Sequence, residues 1–188
     1  DSTRWQDLRS QGITASEIAT VVGLNPFEQP LELFKRKRAA VAPAWNEKKP
    51  EPPNEADDPL HLKLGRMLEP LVMDEYEKRY GPMIRRGGYL FRHKVYRFLL
   101  ATPDAIAGCK TLLERKTCAR WAEEKWGDET TDQIPPAYMC QVQHQMGVMG
   151  ADKCWVAVFF RHSDEFQFYE IQRSQKLIDR LFAAAHMF

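Results

Sequence analysis

Charged residues interrupt a largely apolar stretch, ATPDAIAGCKTLLERKTCAR, at residues 101–120. Asp104 follows a proline, nine residues separate it from Glu114, and Lys116 lies two positions further on. Side chains two apart in a strand share a face, so Glu114 and Lys116 project together from backbone positions about 7 Å apart. Because an unpaired charge is costly to bury, these residues need partners or a ligand.

Two interpretations of these residues are open on the local sequence. The first is a structural ion pair between Lys116 and one of the carboxylates. The second is catalytic: Asp104 and Glu114 hold a divalent cation, and Lys116 faces a water that attacks a phosphodiester. Carboxylates, a backbone carbonyl and waters are hard oxygen ligands, which select Mg²⁺, with Mn²⁺ as a substitute.

The size of the rate acceleration that a hydrolytic site would need favours a bound metal ion. Enzymes lower the barriers of very slow hydrolyses by up to about 23 kcal/mol, whereas one general base contributes only about 10²- to 10⁴-fold in rate. A bound metal would polarise the phosphate and make hydroxide available near neutral pH. The Lys116 ammonium would then orient that hydroxide or neutralise the developing negative charge.

The Glu-x-Lys pattern is not specific in itself, because it begins at three positions, Glu47, Glu114 and Glu123. The first lies in a proline-rich segment, and the third lies in a polar stretch between two tryptophans. Only the second lies in an apolar extended run, so only the second predicts a site.

Helices are predicted on both sides of a central group of strands, which indicates an α/β (α+β-like) fold with a central mixed β-sheet flanked by helices. The LHLKLGRMLEPLVMDEYEKRYG helix contains Pro70, which predicts two pieces with a break or kink next to Glu69. The other predicted helices are ITASEIATVVG with a Thr14/Glu17 capping box, LELFKRKR after Pro30, the segment after Pro135 and Pro136, and the segment from Ser174. The predicted strands are roughly 83–92, 97–107 and 110–117, followed by KCWVAVFF and EFQFYEIQ.

The composition fits one compact domain of 188 residues, with a proline-rich loop or insertion at about 43–59. No apolar run is long enough to span a membrane and the polar start lacks a signal-peptide core, so we expect a cytoplasmic protein. The four cysteines have no C-x-x-C spacing and are expected to be reduced core thiols. A net charge of +1 excludes a global positive field, so any nucleic-acid binding must be local.

The segments TPDA and LERK together resemble the signature of the PD-(D/E)xK nucleases. Their flanks resemble one branch, the lambda exonuclease and YqaJ-like viral recombinase family, in GITASEIATVVGLNPF, GRMLEPLVMDEYEKRYG and IPPAYMCQVQHQMGVMGADKCWVAVF. The resemblance implies a restriction-endonuclease-like core. Two positions depart from the family pattern: Ala105 stands where a glycine is frequent, and Arg115 stands where the strand usually has an apolar residue.

The resemblance implies a role for each matched residue in the strands. The metal ligands fall on Asp104 and Glu114, with the backbone carbonyl of Arg115 as a third. The catalytic lysine falls on Lys116. The family's helix glutamate falls on Glu69, which would contact the metal directly or through water.

The resemblance also implies DNA contacts outside the strands. The family's glutamine falls on Gln141, one helical turn after Tyr138, where it would bond to the active-site water or phosphate. A terminal 5′-phosphate would be bound by Arg9, Ser16 and Thr102, with Tyr138 as a further DNA contact, and a helix N-terminus and an arginine suit an anion. Without the resemblance, Gln141 reads as a surface residue, Arg9 as a solvated side chain and Ser16 as an ordinary first-turn residue.

Four further residues could touch a substrate. His144 and Gln145 lie in the same helix as Gln141, although a helix-borne histidine is more often solvated or satisfied in the core. Trp121 and Trp126 could stack on an unpaired base, although packing explains at least one of them better.

We therefore expect a Mg²⁺-dependent exonuclease that degrades duplex DNA 5′ to 3′ in phage-type recombination, in a bacterial or phage-infected cell. The resemblance implies a ring-shaped homotrimer and a single-strand-annealing partner protein. The alternatives are an endonuclease or nickase on the same fold, and a catalytically silent DNA-end-binding module.

Overall fold

The computed structural model describes residues 2–41, 60–82, 84–85, 89–107 and 110–188. The proline-rich segment predicted at 43–59 lies outside these residues. The helices are α1 Ser2–Ser10, α2 Ile18–Val21, α3 Pro30–Val41, α4 Leu60–Tyr80, α5 Pro136–Met149 and α6 Gln175–Met187, with a 3-10 helix at Arg120–Lys125. Within the described ranges, no helix combines the length and the apolar character that a bilayer span requires.

The strands form two mixed sheets. The larger has the order β2-β5-β6-β7-β8, in which β6 and β7 are parallel and the other pairs are antiparallel. The smaller has the order β1-β4-β3, in which β1 and β4 are parallel. The strands are β1 Ile13–Thr14, β2 Ile84–Arg85, β3 Phe91–Arg92, β4 Leu99–Ala101, β5 Ala105–Ala107, β6 Thr111–Cys118, β7 Lys153–Phe160 and β8 Glu165–Gln172.

Strand β6 contributes to a different core on each face, because successive side chains of a strand point to opposite sides. Leu112 and Cys118 pack with residues of α5 and α6 in one core cluster. Leu113 lies on the other face and packs with Val72, Met73 and other residues in a second cluster that includes α4. The larger sheet is therefore covered by helices on both sides.

Helix α5 lies between the two sheets. Val142 and Met146 belong to the core of the larger sheet, whereas Cys140 and Val148 belong to the core of the smaller sheet. Helix α6 approaches α5 closely at Gly147, where a Cβ atom would lie 2.6 Å from the Phe182 ring. A side chain at this position would force the two helices apart.

The structure corrects the strand predicted at 97–107 and the helix break predicted at Pro70. The segment predicted as one strand at 97–107 is two strands in different sheets, because the chain leaves the smaller sheet after Ala101 and enters the larger one at Ala105. The break predicted at Pro70 is wrong, since α4 runs from Leu60 to Tyr80. Pro70 is exposed, and Val72, Met73 and Tyr76 hold the helix on the sheet beyond it.

The predicted helix at ITASEIATVVG is reduced to the four residues of α2. Thr14 lies in β1 and Ala15–Glu17 form a turn before the helix. Half of the predicted capping box is present, because the Glu17 carboxylate accepts a hydrogen bond from the Thr14 backbone N–H at 2.9 Å. That carboxylate also accepts from the Thr14 hydroxyl at 2.8 Å, so it closes a turn rather than a helix.

The buried His144 predicts a pH-dependent stability. Its Nε2 lies 3.1 Å from the Leu100 carbonyl oxygen, and burial lowers its pKa from 6.5 to about 4. The unfolded chain therefore binds more protons below pH 6.5, and the free energy of unfolding should fall by up to roughly 3 kcal/mol as the pH drops from 6.5 to 4. Urea unfolding at pH 7, 5.5 and 4 should show a smaller decrease for His144→Gln than for wild type. The exposed His162→Gln is the control, and an identical pH dependence in all three proteins would contradict this assignment.

Candidate active site

The β5-β6 hairpin brings Asp104 next to Glu114. Ala105 pairs with Leu113 in this antiparallel ladder, so the ladder extended by one residue places Asp104 opposite Glu114. The backbone N–H of Arg115 donates to Asp104 Oδ2 at 2.8 Å, which fixes the carboxylate at the end of the strand. The spacing of nine residues between the two acids is thus the spacing of a hairpin.

A polar cluster lies on the face of β6 that meets α5. Glu114 Oε1 is 2.6 Å from Lys116 Nζ and accepts from Gln141 Nε2 at 2.5 Å. Glu114 Oε2 accepts from Gln145 Nε2 at 2.7 Å. Lys116 Nζ also donates to Gln141 Oε1 at 3.1 Å and lies 4.8 Å from the centre of the Tyr138 ring. Both oxygens of Glu114 are therefore satisfied by side chains from β6 and α5.

Burial determines the electrostatics of this cluster. The Glu114 residue is 5% exposed, and burial raises the pKa of its carboxyl, an effect that Lys116 opposes and Asp104 strengthens. Burial alone would lower the pKa of Lys116, but Glu114, Tyr138 and Asp104 together outweigh it, so the Lys116 pKa is raised. The contribution of Asp104 to both shifts indicates that its carboxylate acts on the same site.

A second polar cluster lies on the face of β6 that meets α4. Arg115 Nη2 is 3.1 Å from Glu69 Oε2 and 3.2 Å from Asp104 Oδ1. The Arg115 side chain is only 15% exposed, whereas that of Glu69 is 43% exposed. The Arg115 side chain therefore joins the carboxylate of Glu69 on α4 to that of Asp104, the residue before β5.

The donor chemistry fits a hard divalent cation. Asp104, Glu114 and the carbonyl of Arg115 supply only oxygen, the ligand type that Mg²⁺ and Mn²⁺ prefer. Within the part of the chain that the structure describes, however, no three His, Cys, Asp or Glu side chains are grouped closely enough to hold a metal ion. The carboxylates instead contact cations of the protein itself, Arg115 and Lys116.

A third cluster surrounds the turn before α2. Arg9 Nη2 donates to Ser16 Oγ at 3.4 Å, and the guanidinium lies 4.4 Å from the centre of the Trp5 ring. Glu17 pairs with Lys37 at 2.7 Å and with Arg36 at 3.2 Å. Burial lowers the pKa of Arg9, and Glu17 opposes this shift. Arg9 thus contacts a hydroxyl and a ring, while the neighbouring cations are paired with Glu17.

The smaller sheet places Ser16 and Thr102 at the same edge. Thr14 pairs with Leu100 in the parallel β1-β4 ladder, and Ser16 and Thr102 each follow two residues later. Parallel strands end at the same edge of a sheet, so both hydroxyl residues leave by the edge from which the chain continues to Asp104. The expected helix N-terminus at Ser16 is not present, because α2 begins at Ile18 and has only four residues.

The remaining candidates divide into core and surface. Trp126 is 8% exposed and packs on Tyr138, Phe160 and Tyr169, so packing explains it as expected. Trp121 is 65% exposed and stays a candidate for base stacking. His144 is buried in the core, where Nε2 contacts the Leu100 carbonyl oxygen and Nδ1 has no hydrogen-bond partner among the described residues.

The sequence did not predict the role of Gln145, which is 1% exposed and holds Glu114. The spacing of Gln145 could have indicated this role. Gln145 follows Gln141 by four residues, and residues four apart lie on one face of a helix.

Comparison with known proteins identifies the family of this chain. The sequence profile of the YqaJ-like viral recombinase domain matches residues 4–152. The chain belongs to the YqaJ-like viral recombinase family. The matched range contains every candidate site residue, from Arg9 to Gln145.

A relative within the YqaJ-like viral recombinase family is the YqaJ protein of Bacillus subtilis (strain 168). It is 34% identical over 183 residues, which is 96% of this chain and 53% of the relative. The chain therefore spans about half the length of the curated relative that it matches.

Solved exonucleases share the fold of this YqaJ-like chain. An alkaline exonuclease, LHK-Exo from Laribacter hongkongensis, gives a TM-score of 0.77 at 21% identity over 98% of this chain and 89% of that one. The complex of LHK-Exo with dAMP gives 0.78 at 22% identity with the same coverage. A phage-related exonuclease from Haemophilus somnus 129PT gives 0.60 at 14% identity over 93% and 92% of the chains. The fold class predicted from the sequence is confirmed.

The hydrogen bond between Gln145 and Glu114 predicts an order of stabilities. Gln145→Leu removes a donor from a buried carboxylate and should lower the free energy of unfolding by about 1–3 kcal/mol. Gln145→Glu places two carboxylates in contact and should destabilise further at pH 7. The exposed Gln11 is the control, since Gln11→Leu and Gln11→Glu should each change the free energy by less than about 0.5 kcal/mol in urea unfolding. Equal tolerance of glutamate at both positions would contradict the contact.

Proposed function

We propose that this chain is a metal-dependent deoxyribonuclease that hydrolyses phosphodiester bonds of duplex DNA as a 5′-to-3′ exonuclease in phage-type recombination. The contacts that join Glu114, Lys116 and Gln141 beside Asp104 carry this proposal. A buried ion pair can often be replaced by apolar residues without loss of stability. A cluster of this size therefore favours a chemical role over a structural one, in a chain of a viral recombinase family.

The metal ligands of the proposal are Asp104, Glu114 and the carbonyl of Arg115, with Glu69 in direct or water-mediated contact. The ion is Mg²⁺, with Mn²⁺ as a substitute, and when bound it would polarise the phosphate and acidify a water. Lys116 is held by Glu114 and Gln141, so its remaining donor capacity can orient the attacking water or a phosphate oxygen.

The proposed 5′-phosphate pocket consists of Arg9, Ser16 and Thr102, with Tyr138 as a further DNA contact. Arg9 and Ser16 are already in contact, and Thr102 leaves the same sheet edge as Ser16. A guanidinium whose described contacts are a hydroxyl and an indole ring can still bind a phosphate with two hydrogen bonds. Only Pro103 separates Thr102 from Asp104, so the end-binding residues adjoin the metal ligands.

Duplex DNA is the proposed substrate, and a ring-shaped homotrimer and a single-strand-annealing protein are the proposed partners. The name exonuclease that both LHK-Exo and the Haemophilus protein carry favours end-directed cleavage over internal cleavage. An endonuclease or nickase on the same fold and a silent end-binding module are the competing functions that the following experiment separates.

The proposed role of Lys116 predicts a loss of cleavage in a matched pair of variants. Lys116→Met removes the donor that faces the reaction, and the rate should fall by about 10²- to 10³-fold. Lys125→Met changes the lysine of another Glu-x-Lys pattern, which lies in the 3-10 helix, and should cleave as wild type does. The assay measures loss of linear duplex DNA labelled at one 5′ end, with Mg²⁺ or with EDTA.

The same assay decides among the competing functions. An exonuclease spares closed circles and acts more slowly on 5′-hydroxyl ends, a preference that Arg9→Gln should abolish and the exposed Arg180→Gln should retain. Cleavage of closed circles would favour the endonuclease. Absence of cleavage with Mg²⁺ and with Mn²⁺ would leave the end-binding module.

A further inference from the structure

Arg115 is the residue on which the two carboxylates outside the Glu114 cluster converge. A single nitrogen, Nη2, contacts Glu69 Oε2 at 3.1 Å and Asp104 Oδ1 at 3.2 Å. The backbone N–H of the same residue contacts Asp104 Oδ2 at 2.8 Å. Both oxygens of a proposed metal ligand are therefore held by Arg115.

The position of Arg115 is unusual for an ordinary surface ion pair. Its side chain is 15% exposed, and its Nε is buried without a hydrogen-bond partner among the described residues. Leaving a buried donor unpaired is unfavourable, so the orientation of the guanidinium is set by the carboxylates. A guanidinium that served only to contact DNA would be expected to lie exposed at the surface.

We propose that Arg115 is a resident cation that competes with a divalent metal ion for the carboxylates of Asp104 and Glu69. This inference rests on the metal-dependent function proposed above and adds how metal occupancy is controlled. The guanidinium pairs with both carboxylates and compensates their negative charge. A positive charge this close to the carboxylates weakens their attraction for a second cation, so a metal ion that used them as ligands would bind more tightly with the guanidinium withdrawn from Asp104.

The competition makes two opposite predictions for Arg115→Met, which is apolar and of similar length. Without metal, the variant should be less stable than wild type, because Glu69 and Asp104 lose a shared cation. With metal, the variant should bind more tightly, because no guanidinium has to be displaced. A purely structural role for Arg115 predicts the first effect without the second.

The experiment titrates Mn²⁺ into metal-stripped protein without DNA, by calorimetry and by the Mn²⁺-induced rise in the melting temperature. Arg115→Met should bind Mn²⁺ on the order of tenfold more tightly than wild type, with a larger rise in melting temperature. Arg79→Met is the matched control, because Arg79 also contacts two carboxylates, those of Glu75 and Glu129, away from the site. It should bind Mn²⁺ as wild type does.

Two further variants distinguish loss of the Arg115 charge from a folding defect in Arg115→Met. Arg115→Gln removes the charge but keeps hydrogen-bonding capacity, and it should also bind Mn²⁺ more tightly than wild type. Arg115→Lys keeps the charge, so its affinity should stay nearer to that of wild type than to that of Arg115→Met.

Different experimental results would refute the metal competition and the nuclease function. Equal or weaker Mn²⁺ binding by Arg115→Met and Arg115→Gln, with normal binding by wild type, overturns the competition and leaves the nuclease proposal standing. Absence of Mn²⁺ binding in every protein, together with DNA cleavage that EDTA does not affect, overturns both.

Discussion

The carboxylate of Glu114 lies inside the protein, and the surrounding elements are arranged to satisfy it. A buried carboxylate without donors would destabilise the fold. Lys116 on the same strand and two glutamines one turn apart on α5 supply those donors. This requirement fixes the face of β6 that meets α5 and the rotation of α5 about its axis. It also explains why α5, whose Met146 lies in the core, carries the buried amide of Gln145 one position before it.

Strand β6 separates two cations that serve different carboxylates. Lys116 pairs with Glu114 on the face toward α5, and Arg115 pairs with Glu69 and Asp104 on the face toward α4. Period-two alternation along the strand is sufficient to produce this separation. The proposed ligands Asp104 and Glu114 lie side by side in the β5-β6 hairpin, and the two cations approach them from opposite faces of β6.

Much of this arrangement could be predicted from the sequence, for identifiable reasons. Apolar periodicity predicted α5, α6, β7 and β8, and the charges of Asp104, Glu114 and Lys116 in an apolar run indicated the candidate site. The division of 97–107 between two sheets could not be predicted, because both halves are apolar and only tertiary pairing distinguishes them. The contact of Arg115 with Glu69 could not be predicted either, since it depends on how α4 lies across the sheet.

Asp104, Glu114 and the carbonyl of Arg115 are proposed to form a metal centre. The most direct test is a crystal of the protein grown with Mn²⁺ and measured for anomalous scattering. We expect an anomalous peak coordinated by Asp104 and Glu114, with the Arg115 guanidinium withdrawn from Asp104. A well-ordered site without a peak at saturating Mn²⁺, with Arg115 still bridging Glu69 and Asp104, would contradict it.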